Sequence, residues 1–232
     1  ATGAGKDSVT IGDLSGTTVK NVTVDLGAGS NGESVTLNAA AAETMLITTK
    51  GNHTVITNEN TFQTVTIDNA DGNDVLNITA APGNVPGEVV LAGDLAMSLH
   101  FIGGAGADTI ISGSGNDFVD GNQGNDVALL GAGNDTYQWD PGDGSDTVDG
   151  QAGFDTLHFN GSNIGERIEI VGNGSLAELT RNVANIAMHL NNVERIEFNA
   201  LGGADTIHVH DMHGSVVKAV AIDLAGTIGG TS

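Results

Sequence analysis

From Gly103 to Leu157 the chain repeats in steps of nine. Aspartates stand at Asp108, Asp117, Asp126 and Asp135, nine residues apart, and return at Asp146 and Asp155 after one eleven-residue step. Glycine precedes each of them by two positions (Gly106, Gly115, Gly124, Gly133, Gly144, Gly153). An apolar residue follows each by two (Ile110, Val119, Ala128, Tyr137, Val148, Leu157). Phasing of this kind is a repeat and not a bias of composition, and periodic short units fold by stacking on one another. Glycine lets the backbone take positive φ and turn its carbonyls inward. A carboxylate per loop together with such carbonyls is the donor set that a hard cation prefers.

These residues resemble the RTX (hemolysin-type) nonapeptide, G-G-x-G-x-D-x-U-x, of proteins exported by type I secretion. The resemblance implies an all-β fold: a parallel β-roll or β-helix solenoid in which two nonapeptides make one coil, each giving a glycine-rich loop and a short strand with U pointing inward. It also implies several Ca²⁺ ions between stacked loops, held by Asp108, Asp117, Asp126, Asp135, Asp146 and Asp155. The loop positions Gly104, Gly106, Gly113, Gly115, Asn122, Gly124, Gly131, Gly133, Gly144 and Gly153 complete the implied set. One Asp per loop is too few for six to eight oxygens, so loops one coil apart must share an ion. The implied pairs are Asp108 with Asp126, Asp117 with Asp135, Asp126 with Asp146 and Asp135 with Asp155. The pattern is broken by two extra residues around Asp140 and Pro141, by Phe154 in place of a small or amide residue, and by Asn122 and Gln151 in glycine slots. Mg²⁺ demands a tighter octahedron than such loops offer. Zn²⁺ wants His or Cys, and neither occurs between Phe101 and Leu157.

Charge sharpens this reading. The formal net charge is −22, and from Gly51 to Glu166 there are seventeen Asp and Glu without one Lys or Arg. That stretch cannot neutralise itself by ion pairs. An acidic surface argues against nucleic acid or an anionic membrane as partner, no apolar run approaches the ~20 residues of a membrane span, and the absence of Cys excludes a disulfide framework. The first residues, beginning at Ala1, show no charged-then-apolar leader. The expected setting is a secreted or cell-surface protein of which this is a segment.

Three regions follow. Residues 1–100 alternate like strands (SVTLNA, MLITTK, HTVIT, QTVTID, VLNIT, EVVLAG, MSLHFI) at uneven spacing and read as degenerate β-coils. Pro82 and Pro86 mark an excursion there. Residues 101–160 are the nonapeptide roll. Residues 161–232 read as further coils: Ser175 with Glu178 could open a helix by a capping box, but strands are favoured because a solenoid needs β-coils to carry its core onward. Residues 205–226 match residues 7–28 in register at an offset of 198 (Asp7/Asp205, Asp13/Asp211, Val19/Val217, Lys20/Lys218, Asp25/Asp223). The ends are then the same unit, through tandem copies in a longer protein or through matching first and last coils.

Signatures of zinc proteases, α/β hydrolases, P-loop proteins and thiol enzymes are missing. His208, His210, Asp211 and His213 form one metal-like cluster outside the repeats, but the matching stretch at 7–28 has no His, which favours ordinary solvated histidines. Tyr137 and Trp139 could belong to a sugar platform, though an aromatic at the U position reads as core. The leading expectation is a non-enzymatic, calcium-binding structural or adhesive module that folds on binding Ca²⁺. Its partners would be tandem copies or other domains of the same protein, or a cell-surface or polysaccharide ligand. The alternative is part of a secreted polysaccharide-modifying or hydrolytic enzyme that carries an RTX segment.

Overall fold

The structure, a computed structural model, describes residues 5–27, 31–40, 43–81 and 87–224. Strands alternate between two facing sheets as the chain winds. One sheet has nine strands, all in parallel register: Ser8–Ile11, Ser34–Asn38, Val75–Thr79, Ser98–Ile102, Phe118–Asp120, Thr136–Trp139, Thr156–Asn160, Arg195–Asn199 and Ala219–Asp223. The opposite sheet has twelve, and its middle strands Val89–Leu91, Thr109–Ile111, Val127–Leu129 and Thr147–Asp149 are parallel too. The chain is therefore an all-β parallel solenoid of the β-roll kind. Among the described residues no helix is long and apolar enough to cross a membrane.

Coil length follows from the repeat. Within the array, strand partners lie eighteen residues apart (Thr109 beside Val127, Phe118 beside Thr136). Across the eleven-residue step they lie twenty apart (Val127 beside Thr147, Thr136 beside Thr156). Side chains alternate faces along a strand, and a slip of one residue would turn every inward side chain outward. The two extra residues lodge in the loop, so the inward set stays inward: Ile110, Val119, Ala128, Tyr137, Val148 and Leu157 are all buried.

The flanking regions depart from simple coils. Thr44–Lys50, His53–Asn58 and Gln63–Asp68 run antiparallel to one another, and so do Arg167–Asn173, Leu176–Arg181 and Ile186–Asn191. Each meander replaces one strand of the twelve-stranded sheet. The cause is a two-residue hairpin turn opened by a left-handed glycine, Gly51 (φ 66°) before Asn52 and Gly174 (φ 63°) before Ser175, a pairing whose twist suits a tight hairpin. Ser175 thus sits in a hairpin, and the only helical turn between it and Leu190 is the 3₁₀ segment Val183–Asn185. The two meanders begin at Thr44 and Arg167 and keep the same spacing thereafter (His53 and Leu176, Gln63 and Ile186). One architecture thus brackets the array on both sides. The sequence copies at the two ends lie in opposite sheets, Ser8–Ile11 in the nine-stranded and Thr206–Val209 in the twelve-stranded one. Pro82 and Pro86 fall outside the described residues.

The core is one continuous cluster fed by both sheets. Towards the end of the array Trp139 stacks face to face on Phe159 with ring centroids 4.0 Å apart, and Phe159 meets Phe198 at 5.8 Å. Trp139 is fully buried and its Nε1–H donates to the Gly144 carbonyl at 2.8 Å. It is a core residue and not a sugar platform, as is Tyr137. We expect Trp139→Ala to cost about 3–5 kcal/mol, read as a drop in the denaturant midpoint of the calcium-loaded protein.

Candidate metal centre

Each repeat aspartate is the last loop residue before a strand, which places the acids in two columns along the edges of the solenoid. One Oδ of Asp126, Asp135, Asp146 and Asp155 accepts the backbone N–H of the repeat acid one coil earlier, while Asp117 accepts from Leu99 N–H at 2.8 Å. Asp108 N donates to Asp126 at 2.8 Å, Asp117 N to Asp135 at 2.7 Å, Asp126 N to Asp146 at 2.9 Å and Asp135 N to Asp155 at 2.9 Å. The four implied pairs are these neighbours. All six side chains are buried, at 0–2% exposure. A second column runs beside the first: Asn116, Asn125 and Asn134 accept from the N–H of Asn134, Ser145 and Phe154, and Phe154, with no amide, ends it on an exposed ring.

The other carboxylate oxygen is the informative one. Oδ2 of Asp108, Asp126, Asp135 and Asp155 is buried without any hydrogen-bond partner. Removing a carboxylate oxygen from water without a donor is costly, and four repeats of the same vacancy in one array point to a shared cause. Glycine keeps the surroundings open. A Cβ on Gly103 would collide with Asp108 Oδ2 and with the Gly121 carbonyl, and one on Gly121 with Asp126 Oδ2. The loop glycines also stack in columns, because a Cβ on Gly124, Gly144, Gly133, Gly153 or Gly131 would strike the carbonyl of Gly106, Gly124, Gly115, Gly133 or Gly113 respectively. Gly104 accepts from Gln123 N–H at 3.2 Å. Asn122 and Gln151 take the glycine slots at φ 58° and 64°, and Asn122 reaches the Gly103 carbonyl at 3.0 Å.

Carboxylate and carbonyl oxygens therefore line the loop pairs. Among the described residues no three carboxylate or imidazole side chains converge on one point, so a cation held here must draw on main-chain oxygens. That is the chemistry of Ca²⁺. Residues 102–137 and 141–158 match the family model of the RTX calcium-binding nonapeptide repeat, in four copies. This segment is an RTX calcium-binding repeat array. The break in the match, 138–140, falls in the eleven-residue step. No curated protein and no solved structure matches the chain.

Without metal the RTX array is electrostatically strained. Burial, with Asp146, Asp108 and Asp143 adding their charge, pushes Asp126 up to about 8. Burial likewise raises Asp135 and Asp143 to about 7 and Asp117, Asp146 and Asp155 to about 6. The folded metal-free chain thus holds protons that the unfolded chain releases near 3.8, so its stability is greatest at low pH and is lost as pH rises through 6 to 8. Far-UV circular dichroism in chelator should show more strand at pH 5 than at pH 8. Calcium competes with those protons, so its affinity should rise over the same interval.

The acid column continues beyond the RTX segment, which the nine-residue pattern did not reveal. Glu88 N donates to Asp108, Asp155 N to Glu194, Glu166 N to Asp205 and Glu33 N to Asp74. Asp74 and Asp205 carry the Gly-x-Asp-x-apolar order in the sequence (Gly72, Asp74, Leu76; Gly203, Asp205, Ile207), whereas Glu33, Glu88, Glu166 and Glu194 show only as an acid immediately before an alternating apolar strand. One of these acids needs no metal. Arg181, 4% exposed, forms an ion pair with Glu166, donates from Nε to Glu166 Oε1 at 2.5 Å, and lies over the Trp139 ring at 5.2 Å. Arg181→Ala leaves that carboxylate buried without its cation and should cost about 3–5 kcal/mol, measured by denaturation in saturating calcium, where the array itself is satisfied. The histidine cluster does not assemble: His208 and His210 have ring centroids 6.4 Å apart, and His210 instead meets Glu169 at 2.6 Å.

Proposed function

We propose that the chain is a calcium-folded structural or adhesive module of a larger secreted or cell-surface protein, with no catalysis of its own. The observation that carries this reading is the set of buried, partnerless Asp oxygens in a stretch that holds no Lys or Arg. Neighbouring strands lie ~4.8 Å apart. Two carboxylates at about that distance repel by roughly 3 kcal/mol at an effective dielectric of ~20. Several such contacts rival the ~5 to 15 kcal/mol stability of an ordinary domain. Ion binding then becomes folding free energy. Calcium is scarce in cytosol and plentiful outside, so a chain of this kind stays unfolded for export and sets its fold on arrival. The type I route fits RTX repeats, which are typical of secreted proteins.

Polar, acidic coils suit display on a surface or stacking on further coils of the same protein, and the expected ligands are a cell-surface or polysaccharide partner. Binding without turnover of uronate or other polysaccharides supports the adhesive reading. Turnover abolished by an Asp change outside the six repeat aspartates would replace it with the enzymatic one.

Amide exchange and far-UV circular dichroism should show residues 101–160 largely unprotected in chelator and fully protected in millimolar Ca²⁺. Asp126→Ala should weaken that transition most among the repeat aspartates, because Asp126 stands between Asp108 and Asp146 and, unlike Asp135, also meets the charge of a third acid, Asp143. Equal strand content with and without calcium would overturn the proposal.

A further inference from the structure

The N-terminal coils lie outside the matched repeats, yet one pair of acids there is built like the last pair of the array. At the end of the array, Asp155 N donates to Glu194 Oε2 at 2.9 Å, and Asp155 Oδ2 is buried without a partner. In the N-terminal coils, Glu33 N donates to Asp74 Oδ1 at 2.9 Å, and Glu33 Oε2 is buried without a partner. The surroundings correspond as well. Asp155 and Glu33 each precede the nine-stranded sheet's strand on the entry side of a meander, and Glu194 and Asp74 each precede the strand on its exit side.

Glu33 is 2% and Asp74 1% exposed. Asp74 Oδ2 accepts from Asp71 N–H at 2.8 Å, which uses a donor within its own loop. Burial and the abutting Glu33 carboxyl both act to push Asp74 upward. Two carboxyl groups in contact inside a protein need a proton or a cation between them. Among the described residues, the ammonium of Lys6 lies on the bare side of Gly32, but no ion pair joins it to Glu33 or Asp74. A main-chain oxygen is also at hand, since a Cβ on Gly32 would stand 3.1 Å from the Asn73 carbonyl.

We propose that Glu33 and Asp74, with the Asn73 carbonyl, form a further Ca²⁺ site outside the nonapeptide array. The inference rests on the calcium reading of the array, because it extends the same hydrogen-bonded pair of acids and the same partnerless oxygen to a loop that lacks the repeat. Glutamate in place of aspartate lengthens one arm, which suits a loop where the acid follows a left-handed glycine, Gly32 at φ 74°, and not the Gly-x-Asp order. Occupied, the site would tie the coil that enters the first meander to the coil that follows it and let calcium organise the N-terminal region as well as the array.

Calorimetric titration of the whole chain with Ca²⁺ at neutral pH tests this, using wild type, Glu33→Gln and Asp126→Asn. The expected result is about one ion fewer per chain for Glu33→Gln, since two acids share one ion in this geometry, with array uptake intact; Asp126→Asn should instead weaken the array. Carbon-detected NMR of the wild-type Glu33 carboxyl guards against a variant that fails to fold, and its resonance should move on adding calcium. A Glu33 carboxyl that ignores calcium, or unchanged stoichiometry in Glu33→Gln beside reduced uptake in Asp126→Asn, overturns this site alone. No uptake by wild type overturns it together with the array reading.

Discussion

Carboxylates stacked one coil apart, with one oxygen tied to the neighbouring backbone and the other left bare, dominate this molecule. The hydrogen bonds from the N–H groups of Asp108, Asp117, Asp126 and Asp135 to the acid of the next coil hold the loops in register. The same bonds bring the charges together in a buried setting, where each is worth several times its value in water. The loops cannot relieve this by moving apart, because the strands that follow them are locked into parallel ladders by the inward residues of a narrow core. Electrostatic strain and scaffold geometry are therefore one feature, and an external divalent cation answers both.

Position along the solenoid decides how each acid is neutralised. In the array there is no basic side chain to do it. At Glu166 the second meander supplies Arg181, whose guanidinium is sandwiched between that carboxylate and the Trp139 face. In the first meander the residue at the same place in the hairpin is Asn58, beside Glu43, whose carboxyl burial pushes upward. Two copies of one architecture thus differ in charge: the C-terminal copy carries a basic partner at this position and the N-terminal copy carries an amide.

Much of this was legible from residues alone. The nine-residue phase from Gly106 to Leu157 was enough to pick out six acids and six apolar residues at fixed slots, and the resemblance to RTX repeats implied that the apolar residues point inward and that loops one coil apart pair, because each repeat unit contacts only its neighbours. The lack of Lys and Arg from Gly51 to Glu166 was enough to say that neutralisation must come from outside. The core role of Tyr137 followed from its U position, whereas that of Trp139 came with the structure.

Tertiary structure decided what depends on partners distant in the chain. The meanders turn on Gly51 and Gly174, two glycines that look like any others until strands on either side are seen to pair antiparallel. Glu194 joins the column of Asp155 across 39 residues, a separation no local period encodes. Arg181 reads as a scattered basic residue and becomes a buried counter-ion only because the hairpin folds it back over Trp139. The resemblance of residues 7–28 to residues 205–226 is likewise a property of sequence, whereas their placement in opposite sheets is set by the odd number of crossings between them. Spacing within a short repeat is fixed by local chain geometry, while contacts between loops of unequal length exist only once the sheets have closed around a common core.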